Sequence, residues 1–345
     1  MKETALYRKY RPSTFADVRG QEHVTEVLEA AIKQKKIGHA YLFAGSRGTG
    51  KTTIARIFAK AVGSDEKDLY ELDAASNTGV ENMRGILEGV ATHPFASEYK
   101  VYIIDEAHML SKGAFNAFLK TLEEPPSFVI FILATTELEK IPETIQSRCQ
   151  VFEFKKPTKA GLKEMVIEVA KSEGASLAPQ GAELIATAGD GSYRDTLSTL
   201  QKVLTISKDK KLTEDEVATV LGAPKTVVIN SFLKALSERK VEDALRIIYE
   251  SEKNNIDTKL FLLLTLAKIR AVLLLRFAPK LKEELVEQFG AEDLQLLEEL
   301  SGKSGVAINS AVLAELIQAY IEMGRAPIAA IPLELALYTL FGEKK

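Results

Sequence analysis

The stretch that decides the fold is FAGSRGTGKTTIARIFAKAVG at residues 43–63. Within it, Gly45, Gly50, Lys51 and Thr52 follow the spacing Gly-x-x-x-x-Gly-Lys-Thr, which is typical of a phosphate-binding loop. A glycine-rich turn after a strand lets backbone N–H groups surround phosphates, and the following helix turns its positive end toward them. A simple glycine-rich turn with a surface lysine is the alternative, but the complete eight-residue pattern favours a nucleotide.

The residues of this loop have distinct predicted tasks. Lys51 would neutralise the β- and γ-phosphates, and the Thr52 hydroxyl would hold Mg²⁺. ATP and Mg²⁺ are therefore the expected cofactors. The loop residues predicted to bind the nucleotide are Gly45, Ser46, Arg47, Gly48, Thr49, Gly50, Lys51, Thr52 and Thr53.

Two acidic residues follow an apolar run in VYIIDEAH at residues 101–108. Carboxylates at the C-terminal end of a buried strand lie where ligands bind in open α/β sheets. Asp105 would anchor Mg²⁺ through water, and Glu106 would orient or deprotonate the attacking water. An acidic turn that caps the next helix is the alternative. Beside a phosphate loop, two successive acids favour hydrolysis of ATP over storage of the nucleotide.

Three polar residues in later segments are further candidates. Thr136 ends the apolar run FILATT, where its hydroxyl could bond the γ-phosphate or the water, although a threonine at a strand end is ordinary. Arg148 in IQSRCQVFEF is either a surface residue or a finger for the γ-phosphate of a neighbouring subunit. Arg194 in GDGSYRDTLS is either an exposed helix-start arginine or a contact to the γ-phosphate of its own chain.

Segment patterns predict an α/β region followed by all-helical regions. Residues 1–156 alternate helical patterns with short runs rich in β-branched and aromatic residues, which favours a parallel sheet covered on both faces. Strand signals stop at residue 157, and three helices are expected in a small domain at 157–223, followed by a Thr213–Glu216 capping box. Residues 224–345 carry helical periodicity that predicts four to six helices. The runs that predict strands are residues 39–44, 69–74, 100–106, 128–136 and 150–155.

The composition limits the functions that this chain of 345 residues can have. It is 46% hydrophobic and 27% charged with a net charge of −3, so contact with nucleic acid would need a local basic patch. A single cysteine, Cys149, excludes a disulfide framework and a cysteine zinc site within one chain. No signal-peptide core is expected at the N-terminus, and a cytoplasmic location fits. Lys268 and Arg270 interrupt the apolar stretch at 260–277, which predicts a buried helix and no membrane contact.

The order of motifs resembles a known family. Successive segments read YRKYRPSTFADVRGQEHV, the phosphate loop, ELDAASNTGVENMR, VYIIDEAHMLSKGAFNAFLKTLEEPP, ILATTELEKIPETIQSRCQVFEF and GDGSYRDTLSTLQK. They are similar to the tau/gamma subunits of the bacterial DNA polymerase III clamp loader, which are AAA+ ATPases. The resemblance is dense over residues 4–205 and looser beyond. It implies an AAA+ domain, a three-helix lid at 157–223 and a helical collar at 224–345.

The resemblance also implies roles at matching positions. The adenine pocket would include Tyr7, Arg11, Pro12 and Val18, whereas the charge pattern of YRKYR alone would also suit a basic arm on nucleic acid. Thr136 would be the first sensor, Arg194 the second, and Arg148 a finger acting on a neighbour. Asn77, Thr78 and Arg84 would face the DNA backbone without sequence preference. Pro94 and Phe95 would lie near a clamp-facing surface, although a buried phenylalanine is the simpler expectation.

The implied function is an ATP-driven switch within a ring of five subunits. ATP binding would grip and open a sliding clamp, and hydrolysis would release it onto primer-template DNA. Two departures from the family accompany this expectation. The segment SDEKDLYEL at residues 64–72 lacks the family's four cysteines, which makes zinc unlikely, and segments that contact helicase and polymerase are not expected. A branch-migration motor and a ring subunit that binds nucleotide without hydrolysing it are the alternatives.

Overall fold

The structure is a computed structural model that describes residues 4–76, 80–207, 209–289, 291–302 and 308–342. Inside helices, the side chains at 80–84, 286–288, 291 and 292 lie outside this description. Internal contacts divide the chain into two compact units. The first comprises Met1–Glu173 with Gly189–Gln201, and the second Gly174–Ala188 with Lys202–Lys345. The three-domain division at 156/157 and 223/224 stays a prediction.

A parallel five-stranded sheet organises the first unit, in the order β2-β3-β4-β1-β5. The two outer strands are partly exposed, whereas the three inner ones are almost wholly buried. Continuous apolar runs are what a strand covered on both faces requires, and all five predicted strands are confirmed. The strands are β1 (Ala40–Ala44), β2 (Leu69–Asp73), β3 (Lys100–Asp105), β4 (Val129–Thr135) and β5 (Gln150–Glu153).

Helices cover both faces of this sheet. In β1, Leu42 packs into one core with Phe118, and its neighbour Phe43 packs into the opposite core with Phe58, as the two-residue repeat of a strand requires. The helices of this unit are α1 (Leu6–Lys9), α2 (Glu22–Lys33), α3 (Lys51–Ala61), α4 (Val80–Val90), α5 (Lys112–Glu123), α6 (Glu143–Gln146) and α7 (Lys159–Ser172), with α9 (Tyr193–Ile206) beginning in it. Short 3₁₀ helices occur at Phe15–Asp17, Glu66–Asp68, Ala107–Met109 and Leu138–Lys140.

The second unit is almost entirely helical. A two-stranded pair, β6 (Ser176–Leu177) and β7 (Lys211–Leu212), corrects the prediction that strands stop before residue 157; strands of two residues carry no alternation to detect. The capping box of Thr213 and Glu216 is confirmed at the start of α10. The helices here are α8 (Pro179–Ala188), α10 (Glu214–Leu221), α11 (Thr226–Ser237), α12 (Val241–Lys253), α13 (Thr258–Phe277), α14 (Lys282–Phe289), α15 (Ala291–Gly302), α16 (Ser310–Met323) and α17 (Ile331–Phe341), with a 3₁₀ turn at Pro279–Leu281.

The helices after residue 225 are more numerous than the sequence predicted. Seven α-helices occupy the described residues after 225, so the predicted four to six was too few, because periodicity does not show the breaks between short successive helices.

The apolar stretch at 260–277 is the buried helix α13, as predicted. Its Lys268 is buried and bonds Asn230 and Asp293 at 2.7 and 2.6 Å. Among the described residues, no helix is both long and apolar enough to cross a membrane.

Candidate nucleotide-binding and hydrolysis site

The phosphate loop connects the end of β1 to the start of α3 and needs glycine at two tight positions. Gly45 has φ +152°, and a Cβ there would lie 2.6 Å from the carbonyl oxygen of Phe154. Gly48 has φ +73°, and a Cβ there would lie 1.9 Å from Ser192 Oγ. Both positions therefore exclude any side chain on steric grounds, and the left-handed φ of Gly48 adds strain for other residues. The glycine spacing of the sequence thus reflects close packing of the loop against Phe154 and Ser192.

Lys51 occupies the mouth of the loop and is only 6% exposed. Its Nζ donates to the carbonyl oxygens of Gly45 and Ser46 at 2.6 and 2.9 Å. Burial lowers the pKa of Lys51, and the carboxylates of Glu106 and Asp105 partly oppose that shift. A buried ammonium held by loop carbonyls is positioned to exchange them for phosphate oxygens.

Thr52 and Asp105 form the part of the site suited to a metal ion. Thr52 Oγ1 donates to Asp105 Oδ2 at 2.8 Å, and Asp105 Oδ1 accepts the N–H of Glu106 at 3.0 Å. No group of three or more His, Cys, Asp or Glu side chains in the described ranges is arranged to hold a metal. A hydroxyl and a carboxylate are hard oxygen ligands, and Mg²⁺ commonly takes few protein ligands beside phosphates and water. The pair therefore fits a Mg²⁺ ion that arrives with a nucleotide.

Glu106 lies in a polar network at the ends of β3 and β4. Its backbone has φ +48°, a left-handed conformation that costs a non-glycine residue roughly 1–2 kcal/mol. Its Oε2 accepts from Thr136 Oγ1 at 3.1 Å and lies 3.5 Å from His108 Nδ1. The other ring nitrogen of His108 lies 3.2 Å from Glu137 Oε1, and Nδ1 is 3.1 Å from Thr135 Oγ1. Sequence reasoning brought Thr136 to this site but missed His108 and Glu137, whose only signal was proximity to the two predicted strand ends.

A cavity of about 540 Å³ joins these groups to the N-terminal segment. Of the predicted site residues whose side chains the structure describes, all except Gly45, Ser46, Thr136 and Arg148 line it. The cavity thus brings together the residues expected to hold adenine with those expected to hold phosphate. The predicted residues in its lining are Tyr7, Arg11, Pro12, Val18, Arg47, Gly48, Thr49, Gly50, Lys51, Thr52, Thr53, Asp105, Glu106 and Arg194.

Two later helices supply lining that the sequence did not reveal. Met165 and Val169 of α7 and Leu197 of α9 add apolar surface, and their helical spacing reads as ordinary core. Tyr193 joins α9 to the loop, since its N–H donates to the Gly48 carbonyl at 3.0 Å. Its hydroxyl donates to the carbonyl of Arg19 at 2.9 Å.

Gln21 fastens the loop to the sheet edge and was also missed. It is 1% exposed, and its Nε2 donates to the carbonyls of Lys155 at 2.7 Å and Thr49 at 3.4 Å. Its Oε1 accepts the N–H of Lys155 at 3.2 Å. One buried amide therefore bonds backbone groups of the loop and of the segment that follows β5.

The remaining predicted residues lie elsewhere. Arg148 donates to Glu123 Oε1 at 2.6 Å and to the Thr144 carbonyl at 2.8 Å, and it does not line the cavity. Phe95 is 79% exposed, so the expectation of a buried phenylalanine was wrong. The predicted DNA-contacting residues cannot be placed, since Asn77, Thr78 and the side chain of Arg84 lie outside the described residues.

A buried carboxylate explains how Phe95 is presented. Asp68 is 1% exposed and accepts the N–H groups of Phe95, Ala96 and Ser97 at 2.6, 2.7 and 3.0 Å. The Ser97 hydroxyl donates to it as well, at 2.7 Å. Burial raises the pKa of Asp68, but these four hydrogen bonds outweigh burial and lower it to about 2. Lys67 Nζ lies 5.2 Å from the centre of the Phe95 ring.

Comparison with known proteins agrees with the resemblance found in the sequence. The family described as "DNA polymerase III, delta subunit" matches residues 20–78 and 67–158. DNA polymerase III subunit tau of Bacillus subtilis is 42% identical over 337 residues, covering 88% of this chain and 60% of that protein. Subunit tau of Escherichia coli is 37% identical, covering 81% and 46%. Subunit gamma/tau of Mycobacterium tuberculosis is 34% identical, covering 96% and 61%.

Solved structures support the fold. The RuvB Holliday junction branch migration motor of Thermotoga maritima is similar with a TM-score of 0.53 and 25% identity, over 66% of this chain and 80% of that one. RuvB is an AAA+ protein, so the predicted AAA+ fold is confirmed. The chain spans about half to three-fifths of the length of the curated relatives it matches. Over that span, its similarity to the tau and gamma/tau proteins shows that the chain belongs to the tau/gamma family of DNA polymerase III subunits.

Proposed function

We propose that this chain is an ATPase subunit of a replicative clamp loader. ATP binding and hydrolysis would drive the opening of a sliding clamp and its loading onto primed DNA. The observation that carries the proposal is the convergence of Lys51, Thr52, Asp105 and Glu106 on one cavity, in a chain of the tau/gamma family. Further subunits in a ring of five, the clamp and primer-template DNA read without sequence preference are the proposed partners, and a cytoplasmic location follows.

Binding would begin with an exchange of partners at the loop. Lys51 would leave the Gly45 and Ser46 carbonyls, 2.6 and 2.9 Å away, for phosphate oxygens. Tyr7 and Val18 would receive the base at the other side of the cavity. Buried ammonium groups are costly without a counter-charge, so an incoming triphosphate would relieve the cost of burying Lys51.

Hydrolysis would use the two strand-end acids differently. Thr52 and Asp105 would hold Mg²⁺, which when bound supplies positive charge to the phosphate oxygens. Glu106 would accept a hydrogen bond from the attacking water and take its proton. The water oxygen bonds to the γ phosphorus, the bond to the bridging oxygen breaks, and the products are ADP, inorganic phosphate and a proton. Thr136 and His108 would keep the Glu106 carboxylate aimed at that water.

Arg148 is proposed to act on a neighbouring subunit. Its bonds to Glu123 and Thr144 hold it on the surface, and it is absent from the lining of its own cavity. Arg194, in contrast, lines that cavity and begins a helix packed on the phosphate loop. An arginine supplied from another subunit would make hydrolysis depend on assembly, because such fingers contribute about 10³–10⁵ in rate in other systems.

The test measures ATP hydrolysis with and without clamp and primed DNA. We expect slow hydrolysis by the chain alone and strong stimulation in the assembled complex. Arg148→Ala should retain ATP binding and lose about a thousandfold of the stimulated rate. Arg246→Ala, which changes an exposed arginine of the second unit, serves as the matched control and should leave the rate unchanged. Stimulated hydrolysis that survives Arg148→Ala removes the finger role.

A branch-migration motor is the second candidate, favoured by the structural likeness to RuvB. It predicts ATP-driven movement of branched DNA with no clamp present. If the chain moves such junctions and ignores the clamp, the clamp-loader proposal is wrong. If nucleotide binds but is never cleaved under any of these conditions, the chain is a structural ring subunit.

A further inference from the structure

A second cavity, of about 850 Å³, adjoins the nucleotide cavity in the first unit. Five of its eleven lining residues are arginines and three are acids, so its charge is net positive. We call it the arginine chamber. Its lining consists of Tyr7, Arg8, Arg11, Arg47, Thr52, Arg56, Glu71, Asp105, Arg194, Asp195 and Ser198.

Within the described part of the chain, one of the five arginines of the chamber is held in an ion pair, although three acids line it. Arg56 pairs with Glu71, with an Nη2–Oε2 distance of 2.6 Å. Among the residues that the structure describes, none of the other four arginines forms an ion pair. Two of them instead lie over the ring of Tyr7: the guanidinium carbons of Arg8 and Arg194 are 5.7 and 6.0 Å from its centre.

The charge of Arg11 is affected by its neighbours in the chamber. It is only partly exposed, and burial lowers its pKa. The nearby charges of Arg56, Arg194 and Arg8 lower the pKa further, against a smaller opposing effect of Glu71. Crowded like charges destabilise one another, and a multivalent anion between them would reverse the sign of that interaction.

The position of the chamber indicates which anion it would receive. The two cavities meet along the metal-binding end of the phosphate loop and the N-terminal segment, because they share Tyr7, Arg11, Arg47, Thr52, Asp105 and Arg194. Val18 and the apolar residues of α7 line the nucleotide cavity alone. The chamber therefore opens from the part of the nucleotide cavity beside Thr52 and Asp105, where the terminal phosphate would lie, and it lacks the apolar lining.

We propose that the arginine chamber binds inorganic phosphate, the product cleaved from the nucleotide, before it leaves the protein. This proposal rests on the proposed ATPase function. The carboxylate of Glu106, which lines the nucleotide cavity alone, would repel a free phosphate dianion from the cleavage point. The guanidinium groups beyond Thr52 would attract it, and arginine matches phosphate geometry through paired N–H donors. Phosphate would thus pass from the loop into the chamber.

The test titrates inorganic phosphate into the full chain saturated with MgADP, followed by isothermal calorimetry and ³¹P NMR. One phosphate per chain should bind. Arg8→Gln removes a charge found only in the chamber and should weaken phosphate about tenfold. Glu71→Gln removes an opposing charge and should tighten it roughly threefold. Lys60→Gln, which changes an exposed lysine one turn from Arg56 outside the chamber, should have no effect.

The outcomes separate this inference from the proposed function. Absence of phosphate binding to MgADP-loaded protein, or equal affinity in the Arg8 and Glu71 variants, overturns the chamber and leaves the ATPase proposal standing. If ADP itself does not bind, the ATPase proposal fails. The titration is then repeated without nucleotide, with Lys51→Ala to remove phosphate binding at the loop. Binding that survives Lys51→Ala and weakens in Arg8→Gln would still support the chamber, and any other result would overturn it.

Discussion

Replacing Gly48 with alanine should break the contact between the phosphate loop and helix α9. The added Cβ would lie 1.9 Å from Ser192 Oγ and 2.8 Å from Ser192 Cβ. Distances this short require the two backbones to separate. The hydrogen bond from Tyr193 N–H to the Gly48 carbonyl, now 3.0 Å, joins the same two segments and would lengthen with them.

The expected loss of stability has two parts. The left-handed conformation of Gly48, at φ +73°, costs alanine roughly 1–2 kcal/mol, and forced overpacking costs about 1–3 kcal/mol more. Gly63 provides a matched control, since its φ is +85° and a Cβ there would meet nothing within 4 Å. Gly63→Ala should therefore cost only the first part. The difference in free energy of unfolding between Gly48→Ala and Gly63→Ala therefore measures the cost of packing against Ser192.

A double-mutant cycle tests the same contact independently. Ser192→Gly removes the two closest atoms, Oγ and Cβ, and leaves the Cα of residue 192 at 3.3 Å from the ideal Cβ position of Gly48. Ser192→Gly also removes the oxygen that accepts the Asp195 N–H at 3.2 Å. As a single substitution it should therefore lower the free energy of unfolding by about 1 kcal/mol. In the Gly48→Ala background it should instead restore about 1–3 kcal/mol.

The assays are thermal unfolding and the dissociation constant for ADP, measured on the four variants of the cycle and on Gly63→Ala. ADP affinity should fall with Gly48→Ala, because a displaced loop no longer presents its N–H groups together, and should recover with Ser192→Gly. Strictly additive effects of the two substitutions, or a Gly48→Ala variant no worse than Gly63→Ala, would falsify the contact and the reasoning built on it.

Three further predictions follow from single side chains. His108→Ala should lower kcat for ATP hydrolysis about tenfold with little change in KM, since Glu106 loses a neighbour 3.5 Å away; steady-state kinetics will show an unchanged kcat if the imidazole is irrelevant. Asp68→Asn should cost about 2 kcal/mol at pH 7 in urea unfolding, because the carboxylate pKa is lowered from 3.8 to about 2. That stabilisation is complete above about pH 4 and is lost as the pH falls through 2, so a pH-independent difference contradicts it. Lys268→Ala should cost about 3 kcal/mol in urea unfolding by leaving the largely buried Asp293 without its cation, whereas Lys268→Met with Asp293→Leu should cost much less in the same assay.

The sheet could be predicted from the sequence because its strands are buried on both faces. Each predicted run contains the observed strand and exceeds it by no more than two residues at either end, as at 39–44 for Ala40–Ala44. Long apolar runs with turn residues around them leave few alternatives. The second unit was harder, since helices such as Lys282–Phe289 and Ala291–Gly302 follow each other almost directly, and so short a break leaves the helical periodicity nearly uninterrupted.

The candidate site also contains residues that the sequence could predict and residues that it could not. Groups within one motif, such as Lys51 and Thr52, could be found because their spacing alone indicates the chemistry. Ser192 and Gln21 could not, because each acts through contacts with backbone far away in the sequence. The backbone carbonyl of any residue can accept a hydrogen bond, whatever the side chain of that residue, so no sequence pattern predicts such a contact.

The link between the phosphate loop and α9 has a physical consequence for a nucleotide switch. The loop carbonyl of Gly48 accepts from Tyr193 N–H, and the Tyr193 hydroxyl in turn donates to the Arg19 carbonyl. Together with the close approach of Ser192, these contacts couple the start of α9 to the phosphate loop. When the loop moves, α9 is therefore expected to move with it. Arg194 is the next residue of that helix and lines both cavities. Binding or loss of a phosphate would therefore affect Arg194 in two ways. The charge of the phosphate would act on the guanidinium directly, and movement of the loop would act on it through the packing of α9. The Gly48 and Ser192 variants should weaken the second route while leaving the charge of Arg194 unchanged.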